Sequence, residues 1–159
     1  MYYTVEEIIV ALNKATDNIN YRTIFCKEYT RGINDCFALL FEYDMLLRSK
    51  SKANEFFKEP WSSSKEWFKY LYKSNHTIES YAEYCGYEII KNKRPKLGDI
   101  AFEKGSAMIA GDGFWHSTCE NNSGVNTNRQ IMFVERHLTI LARPRKITWR
   151  NIIIMDWKS

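Results

Sequence analysis

Four cysteines and three histidines are the residues of this 159-residue chain that could carry covalent or metal chemistry. They are Cys26, Cys36, Cys85, Cys119, His76, His116 and His137. No two cysteines form a C-x-x-C pair, and no nearby histidines complete a zinc-binding pattern. We therefore expect no metal ion and no cofactor, and the candidate chemistry is that of a free thiol.

Cys36 is the strongest candidate nucleophile because it stands in the first turn of a predicted helix that starts at Asp35 or Cys36, with Asp35 or Asn34 as a good N-cap residue. The dipole and the free N–H groups of a helix start stabilise a thiolate, which is the attacking species of cysteine hydrolases. Such a thiol also needs a base, and His116 in the best-defined β-hairpin is the candidate. A cysteine on an apolar helix face is also a common core residue, so spacing alone leaves both interpretations open.

The N-terminal half of the chain has helical patterns. Thr4 and Glu7 form a capping box before a helix over about residues 5–14, and a loop over 18–34 follows. A helix over 36–48 carries one apolar face with Cys36 at its first turn. Two further helices are predicted over 64–73 and 78–85, the last ending at Gly86.

The C-terminal half has strand patterns. Strands are predicted over 100–102, 107–110, 114–119, 131–134, 138–141 and 147–155. The run from Gly111 to Gly113 is a hairpin turn signal, and residues 121–124 form the next predicted turn. Helices followed by strands predict one α+β domain over residues 1–159, with N-terminal helices packed on a C-terminal antiparallel sheet.

Charge and hydropathy argue against two classes of partner. The net charge is only +4, and its basic residues are spread along the chain rather than gathered in a stripe, so we expect no nucleic-acid partner. The apolar runs are far shorter than the roughly 20 residues of a membrane span. The N-terminus has no basic region and no apolar core of a secretory signal, so we expect synthesis in the cytoplasm without a signal peptide.

Four segments resemble motifs of NlpC-type peptidases, which are papain-like cell-wall hydrolases. Residues 29–36 (YTRGINDC) resemble the signature around the family's nucleophile, in the compact version found in phage tail-associated members. Residues 94–102 resemble the Pro-Gly-Asp entry into the central sheet, and 108–117 with Gly124-Val125 resemble the hairpin that carries the family's histidines. Residues 142–145 resemble the closing strand, so the resemblance covers about residues 29–145.

The resemblance implies a papain-like fold and a cysteine peptidase that cleaves peptidoglycan stem peptides. It implies Cys36 as nucleophile, with Asp35 as the cap of its helix. A phage tail is the implied setting, with peptidoglycan and other tail proteins as partners and the virion as location. The absence of a signal peptide agrees with delivery by the particle.

The chain also departs from the family pattern. The family's base histidine would fall near Gly105 or Ser106, whereas His116 falls where the family places the residue that orients the base. Phe37 replaces the small residue that follows the nucleophile.

Two interpretations follow from these departures. In the first, His116 acts as the base, supported by Ser117, Asn121 or Glu120, and the activated Cys36 has a depressed pKa. In the second, the site is degenerate and the domain is a structural or docking protein of the tail.

Overall fold

In the residues that it describes, a computed structural model places three helices, each of seven residues or more, against a six-stranded antiparallel sheet. It describes residues 2–30, 33–48, 73, 75–92, 94–103, 106–119, 122–127, 131 and 139–146. The predicted helix over 64–73 and strand over 131–134 lie outside these ranges except for one residue each, and the strand over 147–155 lies wholly outside them. The prediction of an α+β chain with helices on an antiparallel sheet is confirmed.

Helix α1 spans Val5–Phe25 and begins with the predicted capping box of Thr4 and Glu7. The prediction that it ends near residue 14 is wrong. Ala15, Ile19 and Thr23 continue its buried face. Packing of this face therefore stabilises the helix as far as Phe25, over polar residues that were predicted to begin a loop.

Helix α2 spans Cys36–Leu47, as predicted to within a residue. Helix α3 spans Ile78–Tyr84, capped by Thr77. The chain then turns at Gly86, whose φ is 93°. A side chain is disfavoured in that left-handed region, which explains the helix stop.

The sheet has the strand order β1-β6-β2-β3-β4-β5, and every described pair is antiparallel. The strands are β1 Tyr87–Ile89, β2 Ile100–Glu103, β3 Ser106–Ala110, β4 Trp115–Cys119, β5 Asn122–Asn126 and β6 Ile140–Pro144. Strand β1 was not predicted, and β5 occupies residues predicted as a turn. Both are edge strands, where pairing with a neighbour decides the conformation more than composition does.

Helix α2 packs on one face of β3 and β4, and the main core lies between them. Ala107 and Ile109 point into this core, whereas Met108 and Ala110 point to a smaller cluster on the opposite face. This alternation is the normal period of a strand. It defines the face of the sheet on which residues can meet the start of α2, called here the α2 face.

Buried polar contacts fix the other end of α2. Arg48 and Asp44 form a fully buried ion pair one helical turn apart. Arg48 also donates to the Cys85 carbonyl, and its guanidinium lies over the Tyr87 ring at 4.3 Å. These contacts hold the C-terminal end of α2 against the junction of α3 and β1. Of the helices in the described ranges, none combines the length and apolar character needed to cross a membrane.

Candidate functional site

The site begins at the first turn of α2. Asp35 is the N-cap, and its side-chain oxygen accepts the Ala38 N–H at 2.9 Å. Cys36 is therefore the first residue of the helix, and it is buried, with 6% of its surface exposed. The local sequence dictates this start, because an Asp side chain satisfies a free N–H that no helical carbonyl can reach.

The loop before α2 is ordered by the buried side chain of Asn34. Its oxygen accepts the Thr30 N–H at 2.6 Å, and its nitrogen donates to the carbonyls of Cys26 and Glu28 at 3.0 Å each. These contacts flank Tyr29 on both sides, so they direct its side chain toward the start of α2.

Burial and four nearby groups set the pKa of the Cys36 thiol. Burial is the largest influence and raises the pKa of the thiol, and the negative charge of Asp35 also raises it. The backbone of Ala107, the Tyr29 hydroxyl and the N–H of Cys36 itself act in the opposite direction. The net result is a raised pKa, which is opposite to the depressed pKa expected of an activated nucleophile.

Tyr29 is a site residue that sequence reasoning missed, since it counted only as the aromatic position of a motif. Burial, together with the nearby Cys36 thiol, raises the pKa of Tyr29 to about 12, while the Thr118 hydroxyl and the Cys36 N–H act against this rise. The hydroxyl therefore stays protonated at neutral pH and can donate to the thiol site but cannot take a proton from it. The signal available in the sequence was that Tyr29 carries a hydroxyl group and belongs to the same motif as Cys36.

His116 lies on β4 opposite Ile109, and therefore on the α2 face. Its ring lies directly over Gly111, where an added Cβ would clash with Cε1 and lie 2.5 Å from Nδ1. Burial lowers the pKa of His116, and the backbone of Phe114 opposes that lowering. Nδ1 is buried without a well-formed hydrogen bond, and the Phe114 backbone is the polar group that acts on the ring.

The structure does not bring Cys36 and His116 into contact. The thiol meets β3 at Ala107, whereas the imidazole packs at Gly111, four residues further on. At about 3.3 Å per residue these two positions are roughly 13 Å apart along the strand. The ring of His116 therefore leans away from the proposed nucleophile.

Thr118 is the residue of β4 whose hydroxyl acts on Tyr29, which in turn acts on the thiol. It shares the α2 face with His116, and its buried Oγ1 lacks a well-formed hydrogen bond although the Tyr29 hydroxyl is close. Ser117 alternates to the other face and pairs with Asn126, so it is not placed to orient the His116 ring. The two other candidate supports, Glu120 and Asn121, lie outside the described residues, as does His137.

Several basic groups near the C-terminal end of β6 are engaged within the chain. Arg143 donates to both carboxylate oxygens of Asp99 at 2.8 and 2.9 Å, and Lys146 pairs with Glu7 at 3.0 Å. Arg145 lies over the Tyr2 ring. Within the described part of the chain, no group of three His, Cys, Asp or Glu side chains is arranged to hold a metal ion.

Comparison with family models, with curated proteins and with solved structures found no match to this chain.

Proposed function

We propose that this chain is a papain-like cysteine hydrolase with Cys36 as its nucleophile. One observation carries the proposal: Cys36 is the first residue of a capped helix, where the Tyr29 hydroxyl and the backbones of Ala107 and Cys36 all act to lower the pKa of its thiol. A core cysteine needs no such set of donors. A thiolate nucleophile does, because these groups stabilise the negative charge that sulfur carries before it attacks.

The chemistry follows from these positions. The Cys36 thiolate attacks an amide carbonyl, and the oxygen that becomes negative accepts hydrogen bonds from the Cys36 N–H and the Tyr29 hydroxyl. The intermediate collapses to a thioester as the amine leaves with the proton taken from the thiol. Water then attacks the thioester, releases the acid and restores the thiol. His116 is the proposed proton carrier, which requires its ring to leave Gly111.

The substrate and the setting are proposed on the sequence resemblance over residues 29–145. The bond would be an amide in a peptidoglycan stem peptide, and the protein would act as a component of a phage tail. The papain-like assignment has the same support, together with a helix-start cysteine packed against an antiparallel sheet.

Digestion of purified peptidoglycan tests the proposal. The wild-type protein should release peptide fragments identified by mass spectrometry, whereas Cys36→Ala and His116→Ala should release none. Cys26→Ser is the matched control, because it removes a partly exposed thiol that lies outside the donor cluster, and it should retain activity. Equal digestion by wild type and Cys36→Ala would refute the proposal.

A second candidate is a catalytically degenerate domain that docks other tail proteins. Two observations favour it: the His116 ring points away from Cys36, and the outer face of α1 exposes large apolar side chains. At its C-terminal end these are Tyr21, Ile24 and Phe25, with Phe25 74% exposed. At its other end a groove of about 760 Å³ lies between α1 and the end of α2.

The two candidates give different results in one pair of assays. A docking protein is inert on peptidoglycan and loses incorporation into tails when Phe25 is changed to Asp. A hydrolase loses digestion when Cys36 is changed to Ala and still assembles. A third result is also possible: the wild type digests no peptidoglycan, and the Cys36→Ala variant fails to assemble into tails. That result would contradict the hydrolase proposal and support a structural role for the thiol.

A further inference from the structure

We propose that Gly111 is a positioning residue that lets the His116 ring take two positions on the α2 face. They are called here the first seat, over Gly111, and the second seat, beside Thr118 and Cys36. The use of the second seat in catalysis rests on the proposed hydrolase function. The two seats themselves rest only on packing and hydrogen bonding.

The first seat exists because Gly111 has no side chain. The ring edge formed by Cε1 and Nδ1 fills the space that a Cβ would take. The backbone of Gly111 does not require glycine, since it is not among the glycines with positive φ, namely Gly86, Gly98, Gly113 and Gly124. Glycine at this position therefore makes room for the ring, and it also permits the close approach of the Phe114 carbonyl, which would lie 3.1 Å from an added Cβ.

The second seat lies at the same distance in the other direction. His116 pairs with Ile109, which is two residues from both Ala107 and Gly111, or about 7 Å along the strand each way. In strands, two χ1 rotamers are common and a side chain leans along the strand axis. One rotamer change would thus move the ring from Gly111 toward Thr118.

Hydrogen bonding favours the exchange. In the first seat, His116 Nδ1 and Thr118 Oγ1 are both buried without a well-formed bond, although the Phe114 backbone acts on the imidazole and the Tyr29 hydroxyl interacts with Thr118. The two residues are consecutive on the same face of β4. In the second seat these two atoms would bond to each other. The other ring nitrogen would then face the Cys36 thiol and take its proton, giving a thiolate and an imidazolium. The other titratable groups acting on that thiol are Asp35 and Tyr29.

Gly111→Ala tests the proposal because its Cβ occupies the first seat. Alkylation of Cys36 by iodoacetamide at pH 7, followed by peptide mass spectrometry, should be about tenfold faster in the variant, since a neighbouring imidazole lowers a thiol pKa by a unit or more. The rate at Cys26 in the same digest is the internal control. The double variant Gly111→Ala/His116→Ala should lose the increase.

Three results would overturn the proposal. The first is an unchanged Cys36 rate in folded Gly111→Ala, and the second is an increase that persists in the double variant. If Gly111→Ala does not fold, nuclear Overhauser effects in the wild type decide the matter. Contacts from the His116 ring to both Gly111 and Thr118 protons support two seats, and contacts to Gly111 alone exclude the second.

The outcome is separable from that of the hydrolase proposal. If Gly111→Ala is alkylated faster but the wild type digests no peptidoglycan, the two seats are supported and the peptidase proposal is refuted. If the wild type digests peptidoglycan and Gly111→Ala does not change the alkylation rate, the hydrolase proposal is supported and the two seats are refuted.

Discussion

Replacing Arg48 by Met should destabilise the fold strongly while leaving the chain's volume almost unchanged. Arg48 is fully buried, pairs with Asp44 and donates to the Cys85 carbonyl. Its removal leaves the buried Asp44 carboxylate with Tyr87 as its remaining described hydrogen-bond partner. Breaking a buried pair from one side costs about 3–5 kcal/mol, because a charge stays in the interior without compensation.

That loss is a large share of the roughly 5–15 kcal/mol by which proteins of this size are stable. At about 2–4 °C per kcal/mol for a chain of this size, it corresponds to a fall in Tm of about 6–20 °C. Urea unfolding followed by circular dichroism measures the free energy directly, and the midpoint should fall at an unchanged slope.

The double variant Asp44→Asn/Arg48→Met is the decisive control. It removes the uncompensated charge and keeps an acceptor for the Tyr87 hydroxyl, so it should be more stable than Arg48→Met alone. If the double variant is as unstable as the single one, the loss comes from packing and the electrostatic reasoning is refuted.

The pH dependence has a definite sign. Burial raises the pKa of Asp44 above its unfolded value, while Arg48 lowers it. A raised carboxyl pKa costs stability above the folded pKa, and the cost disappears as the pH falls and the group protonates. Without Arg48 the pKa rises further, so the deficit of Arg48→Met relative to wild type should be smaller at pH 5 than at pH 8.

Two further predictions concern the thiol. Tyr29→Phe removes a donor from Cys36, so the thiol pKa should rise and alkylation at pH 8 should slow several-fold; an unchanged pH profile would show that the hydroxyl does not act on the thiol. Asp35→Asn keeps a good N-cap and removes the charge that raises the Cys36 pKa, so alkylation should quicken with little change in Tm. Asp35→Ala should instead cost about 1 kcal/mol of stability, and equal losses in the two variants would contradict the capping role.

Local signals in the sequence were sufficient where a residue acts on its own neighbours. The capping box at Thr4 and the cap at Asp35 gave two helix starts, and Gly86 gave a helix stop. The extent of α1 and the edge strand β5 were predicted wrongly. Packing across the sheet and against α2 decides both, and polar residues such as the asparagines of β5 conceal it.

The sequence by itself determined the α+β class, the start of α2 at Cys36 and the hairpin that carries His116, because caps, turns and apolar spacing act over a few residues. Only the tertiary structure decided what those two side chains touch. Strand register fixes which residues share a face, and the empty space above Gly111 fixes which way the imidazole leans. The distance between the thiol and the imidazole depends on the strand register and on the space above Gly111. Neither of these can be predicted from the 80 positions that separate the two residues in the sequence.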